Sequence, residues 1–201
     1  MAAERALKDV VSLWWIGGGP AEAALLEGVS HALTAEFGLP VRAHAASERP
    51  VEAFDPRRGQ HASAKILSWL DARTPQAVRR VLGVTDADLF IPILTFVFGE
   101  AQLHGRAAVV STARLSGIDA VPAPQVVLLA RLEKECVHEL GHTFGLVHCR
   151  TAGCAMARSA SLRDVDAKTP HLCGECRERI QHHLREERPN EPQEHPNSDR
   201  R

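Results

Sequence analysis

The stretch HELGHTFGLVH, residues 138–148, constrains this chain more than any other. Histidines four apart on a helix share a face, so the imidazoles of His138 and His142 can converge on one ion. The preceding run PQVVLLARLEKECV, residues 124–137, reads as the body of one long helix that carries this pair and stops at Gly145. Glycine adopts the left-handed conformation that ends a helix and turns the chain sharply. That turn brings His148 back as a third ligand. Glu139 is then directed toward the same cleft, beside the coordination position that three histidines leave open. A His-rich helix with a solvated face is the plainer interpretation, but it does not explain histidines that stay in register beyond the helix-ending glycine.

The pattern H-E-x-x-H-x-x-G-x-x-H is a zinc peptidase signature, and cysteines follow it at once. Cys149, Cys154, Cys173 and Cys176 form the pairs C-x4-C and C-x2-C, with a longer stretch of chain between the pairs. Paired short spacings of this kind suit a tetrahedral four-thiolate zinc site. Four thiolates close the coordination shell, so such an ion does no Lewis-acid chemistry and instead folds the apolar-poor segment 149–180. Five cysteines is an odd number, and four of them sit in these pairs. That usage points to metal thiolates in a reducing compartment, hence the cytoplasm, rather than to disulfides. Cys136, two positions before His138, turns away from the metal face and reads as a buried core thiol.

Upstream, strand-like and helix-like segments alternate. DVVSLWWIGG (9–18) suits a buried strand with Trp14 and Trp15 in the sheet core, and a helix follows from Pro20 to the stop at Gly38. LPVRAHA (39–45) reads as a short strand, 49–59 as a loop, and QHASAKILSWLDAR (60–73) as a second helix. A third strand is expected at DLFIPIL (88–94), after a turn at GVTDAD. TFVF and AAVVST then form two strands punctuated by Gly99 and Gly105. This order predicts an α/β fold with a mostly parallel sheet and one irregular edge. From Arg185 onward the chain has almost no apolar residues and three prolines, so it is expected to be disordered.

At 201 residues the chain fits one globular domain. Lys and Arg number 24 against 25 Asp and Glu, which leaves neither a basic footprint for nucleic acid nor a polybasic patch for lipid. No apolar run is long enough for a membrane span, and the N-terminus is too charged and too short in apolar residues for a signal peptide.

The combined string H-E-x-x-H-x-x-G-x-x-H-C-x4-C-x-M, followed by C-x-x-C, is similar to that of the archaemetzincin family (peptidase family M54) of metzincin zinc metallopeptidases. The resemblance is specific over residues 138–176. The stretch between Met156 and Cys173 is slightly shorter than the family spacing. Carried over, the resemblance implies that His138, His142 and His148 bind a catalytic zinc with Glu139 as general base. Cys149, Cys154, Cys173 and Cys176 would bind a second, structural zinc, and Met156 would form the Met-turn beneath the first site. The implied fold is a metzincin-like α+β variant: a mostly parallel mixed sheet with one antiparallel edge strand, a long active-site helix and a small zinc-stapled C-terminal lobe. One monomeric catalytic domain would occupy 1–185, with an upper lobe over about 1–147 and a lower lobe over about 148–185, and a disordered tail at 186–201. TFVFGEAQ (95–102) would be the edge strand that aligns a peptide substrate.

The implied chemistry is metal-assisted amide hydrolysis, in which Glu139 takes a proton from an activated water and passes it to the departing amine. The chain has no tyrosine, so the oxyanion needs zinc, backbone N–H groups, a histidine or an arginine. His171, Arg114 and Glu100 read as loop or surface residues. The competing function is an inert zinc protein whose four-cysteine module serves binding or structure; Glu139 speaks against it, because a structural three-histidine site needs no such carboxylate.

Overall fold

A computed structural model describes residues 10–17, 23–117 and 123–187. In chain order the elements are β1 (Val11–Ile16), α1 (Ala23–Phe37), β2 (Val41–Ser47), β3 (Phe54–Asp55), β4 (Gln60–Ala62), α2 (Ser63–Arg73), β5 (Arg80–Thr85), β6 (Leu89–Phe90), β7 (Gly99–Ala101), β8 (Ala107–Ser111), α3 (Gln125–Thr143), α4 (Leu162–Ala167) and α5 (Gly174–Glu186). The main sheet runs β2-β1-β5-β8-β7. Its first four strands are parallel, and β7 is antiparallel to β8 at the edge. A small second sheet runs β3-β4-β6.

Alternation along the strands sends side chains to two separate cores. Leu82 and Val84 of β5 and Ala108 and Val110 of β8 join Leu25, Val29 and Leu33 of α1 and Leu132, Cys136 and Leu140 of α3. Val81, Ala107 and Val109 face the other way, onto Ile66, Leu67 and Leu70 of α2. Helices on both faces of a largely parallel sheet give the α/β layering that the sequence predicts. Trp15 is buried in the first core, while Trp14 packs partly exposed against Trp69 on the second face.

The third parallel strand lies elsewhere than expected. It is β5, RVLGVT, and not DLFIPIL, of which only Leu89–Phe90 pair, with β4. Gly83 disguises the central strand, and close packing is the reason for it: a Cβ there would lie 2.5 Å from Ile16 Cδ1 and 2.9 Å from Leu70 Cδ1. Pro92 cannot donate to a ladder, so the chain leaves the sheet after Phe90. In TFVFGEAQ only Gly99–Ala101 form the edge strand, with Val97 bridging to Leu89.

Two C-terminal helices go beyond what the sequence predicts. Ser161 caps α4, its hydroxyl accepting from the Asp164 N–H, and Cys173 is the N-cap of α5. Helix α5 reaches Glu186, and Glu187 forms ion pairs with Arg79 and Arg80. The helix start at Pro20 and the tail beyond 187 lie outside the described residues. Ala155, Met156, Val165, Leu172 and Ile180 all enter the first core, so the C-terminal segment is built onto the sheet domain. Among the described residues, no helix is long and apolar enough to cross a membrane.

Candidate metal centres and active-site cleft

The end of α3 is a glycine-terminated turn. Gly145 has φ 83°, its N–H donates to His142 O at 2.9 Å, and the Leu146 N–H donates to Gly141 O at 3.2 Å. These two bonds are those of a Schellman motif. Reversal at Gly145 brings His148 beside the helical pair, with its ring centroid 5.3 Å from that of His138 and 5.2 Å from that of His142. One nitrogen from each of the three imidazoles lies within 4.8 Å of the other two.

Backbone carbonyls orient two of these rings. His138 Nδ1 is 2.8 Å from Ala155 O, and His142 Nδ1 is 2.6 Å from Leu146 O. A carbonyl can only accept, so each Nδ1 carries the proton and each Nε2 presents a lone pair inward. The two Nε2 atoms stand 3.1 Å apart. On a tetrahedron with metal–nitrogen bonds of about 2.0–2.1 Å, neighbouring nitrogens stand about 3.4 Å apart, so the donor set fits zinc. Burial is the largest cause lowering the pKa of all three histidines, well below the ordinary value for His138. The charges of Lys168 and, for His148, of Arg158 act in the same direction. Neutral imidazole is the form that ligates metal.

Glu139 lies buried at the same place, and burial followed by the Glu135 charge raises its carboxyl well above the usual range. A cleft of about 650 Å³ takes in Glu139 and the three histidines, along with Phe96, Phe98, Leu103 and Val147. Strand β7 borders it, and the side of β7 away from β8 has no strand partner among the described residues. Gly99 permits this contact: a Cβ there would lie 2.6 Å from Glu139 Cγ and 2.7 Å from Val109 O.

The four cysteines gather into a second cluster. All four sulfurs lie within 4.8 Å of one another, with Cys149 Sγ to Cys173 Sγ at 3.8 Å and Cys154 Sγ to Cys176 Sγ at 3.9 Å. Thiolates at the usual zinc distance of about 2.3 Å stand about 3.8 Å apart on a tetrahedron, so this cluster fits zinc as well. None of the cysteines is in a disulfide. The start of α5 helps: the Cys176 backbone N–H is the largest cause bringing the Cys173 thiol down to about 7, whereas burial pushes Cys176 up. Met156 is fully buried, its carbonyl accepting from the Cys149 N–H at 2.9 Å. Its sulfur fills the space beside Gly141, where a Cβ would approach it to 2.5 Å.

Several residues that the sequence leaves open are now placed. Cys136 is fully buried in the core, and burial raises its thiol well above the usual range. Arg114 makes a two-pronged ion pair with Asp88 at 2.9 and 2.6 Å, and His171 pairs with Glu36, so neither reaches the metal donors. Glu100 lines the cleft, with one carboxylate oxygen buried and unpartnered. Sequence reasoning missed Arg158, the one Arg or Lys among the described residues lining the cleft, and the buried pair Lys168–Glu135 at 2.9 Å. Glu135 carries a usable signal, since it sits three positions before His138 on the same helix face; an isolated loop lysine such as Lys168 carries none.

The model of peptidase family M54 matches residues 51–182. Among curated proteins, the archaemetzincin of Methanopyrus kandleri is 46% identical over 136 residues, which are 68% of this chain and 74% of that protein. The archaemetzincin of Haloquadratum walsbyi is 36% identical over 175 residues, 85% and 96% of the two chains. Among solved structures, the Methanopyrus kandleri archaemetzincin superimposes with a TM-score of 0.78 at 36% identity, covering 88% of this chain and 95% of that one. A zinc-dependent peptidase from Methanocorpusculum labreanum gives 0.73 at 31% identity, covering 85% and 99%.

Proposed function

Because the chain belongs to peptidase family M54, the archaemetzincin zinc metallopeptidases, we propose that it cleaves an extended peptide laid along β7. In this reading His138, His142 and His148 hold the catalytic zinc and Glu139 is the general base. The observation that carries it is the convergence of three neutral imidazoles beside a buried carboxylate in a cleft with an open strand edge. Zinc, when bound, supplies the Lewis acidity that acidifies a water and polarises a carbonyl.

The rest of the work falls to the chain. The Ala155 and Leu146 carbonyls hold His138 and His142 with their Nε2 lone pairs free toward the position that zinc would take. Glu139 accepts a proton and returns it to the departing amine; burial and neighbouring carboxylates move its pKa upward, toward the range in which one group can do both. Strand β7 offers unpaired backbone groups that a substrate strand can match antiparallel. With no tyrosine in the chain, the Arg158 guanidinium, which makes no hydrogen bond or ion pair among the described residues, is available to the developing oxyanion.

The cysteine cluster would hold a second zinc whose role is structural, giving two ions per chain. Four reduced thiols favour a cytoplasmic setting, and we take the catalytic unit to be a monomeric domain whose lobes meet near residue 147. Cleavage of a peptide library, read by mass spectrometry, tests the function with the zinc-loaded protein and its Glu139→Gln variant. Cleavage should fall about 100- to 10,000-fold in the variant while its zinc content stays unchanged. Undiminished cleavage would remove Glu139 from the mechanism, and an inactive wild type with both zinc ions bound would favour the inert alternative.

A further inference from the structure

We propose that Lys168, through its ion pair with Glu135, is the positioning residue of the His138 ligand. The proposal rests on the reading of His138 as a zinc ligand. Both side chains are almost wholly buried, at 2% and 3% exposure. A buried ion pair is costly to desolvate and seldom stabilises a fold more than apolar residues of the same size, so its place in the structure calls for another explanation.

The contacts supply one. Lys168 Nζ donates to Glu135 Oε1 at 2.9 Å and to Ala157 O at 3.2 Å. Glu135 in turn accepts from Ser159 Oγ at 3.1 Å. The pair therefore clamps segment 155–159 onto α3 one turn below His138. Within that segment, Ala155 O is the acceptor that fixes the His138 tautomer and rotamer. Lys168 Nζ also lies 3.4 Å from His138 Nδ1, where an uncompensated ammonium would repel the Nδ1 proton and favour the tautomer that cannot bind metal inward. Glu135 offsets that charge, so the Ala155 carbonyl keeps the proton. The rest of the strut comes from the cysteine module: Thr169 N–H and Oγ1 both donate to Gly153 O, and Ala155 N–H donates to His171 O. Lys168 is thus one point at which the four-cysteine segment reaches the histidine cluster.

Cobalt(II) binding tests this. The His site of the full chain is stripped by chelation with the cysteine site left loaded, and cobalt is titrated back into wild type, the Glu135→Leu/Lys168→Met double variant and Glu135→Gln. The double variant removes both charges together, so neither is left buried alone. It should bind cobalt about 10- to 100-fold more weakly, the usual loss when a ligand's supporting partner is removed. Its d–d spectrum should shift, and kcat should fall with KM little changed. Glu135→Gln keeps the shape and an acceptor but leaves the Lys168 ammonium uncompensated beside His138 Nδ1, so it should shift the spectrum and weaken cobalt binding at least as much; it decides the matter if the double variant does not fold. Cobalt affinity within twofold of wild type, together with an unaltered spectrum, would overturn the proposal. A wild type that takes up no cobalt at the His site would overturn both this and the ligand assignment beneath it.

Discussion

Gly99 carries two constraints at once, because both the Glu139 side chain and the neighbouring strand press on its missing side chain. A Cβ would meet Glu139 Cγ on one side and the Val109 carbonyl on the other, and backbone cannot yield as a flexible side chain can. Gly99→Ala should therefore push β7 outward, costing about 1–3 kcal/mol of stability as overpacking does and lowering kcat, which denaturation and steady-state kinetics will show. Titration of the metal-free protein probes Glu139 itself. Its folded pKa is raised above the ordinary 4.5, so its contribution to stability is complete below that pH and is lost as pH rises through the folded value. Metal-free Glu139→Gln should then be more stable than metal-free wild type, by a margin that widens as pH rises from 4.5; a constant margin in urea unfolding would contradict this. His138 has the opposite sign, since its folded pKa lies below 6.5. Within the Gln variant, stability should fall as pH drops below 6.5, with a slope from this residue approaching about 1.4 kcal/mol per unit. Thiol reactivity is graded in the same way: with metal removed, Cys173, at about 7, should alkylate first at neutral pH and Cys136 only on unfolding.

At the scale of elements, α5 depends on the cysteine cluster, for among its residues only Cys176 and Ile180 are buried. Cys176→Ser should therefore lose hydrogen-exchange protection through α4 and α5 while β1, β5 and β8 keep theirs. Protection lost evenly across the sheet would show instead that the cluster supports the whole domain. The same distinction between local and distant causes explains what can be read from the sequence. The metal-binding end of α3 is legible because its determinants are adjacent in the chain: helical spacing, a helix-ending glycine and a third histidine just past it. The cysteine pairs are legible for the same reason. β5 is not, because Gly83 is there to admit Ile16 and Leu70, which reach it from β1 and α2, two other elements of the chain. α5 hides because its inner face is narrow, with Cys176 and Ile180 buried and Leu184 only partly so, on a helix otherwise made of charged and polar residues. Lys168 is invisible for a further reason, since its partner Glu135 lies on a separate helix far back in the chain and nothing local marks either as buried.

For the whole molecule, the proposed arrangement divides labour between two metal centres on one scaffold. The sheet and α3 position the histidines by packing and backbone hydrogen bonds, so the first centre should be open and separable from folding. The second centre would close on four thiolates and share in the folding of the segment that contains it, where structural zinc in small modules contributes on the order of 10–16 kcal/mol. Segment 153–157 joins the two clusters, with Cys154 in one, the Ala155 carbonyl on His138 Nδ1 of the other, and the Met156 sulfur packed beside Gly141 of α3. Zinc per chain, determined by elemental analysis before and after dialysis against a chelator, tests this account most directly. The prediction is two ions falling to one, with peptidase activity lost, the fold retained and activity restored when zinc is returned. One ion in the fresh protein with Cys149, Cys154, Cys173 and Cys176 all freely titratable, or activity that persists after the first ion is gone, would contradict it.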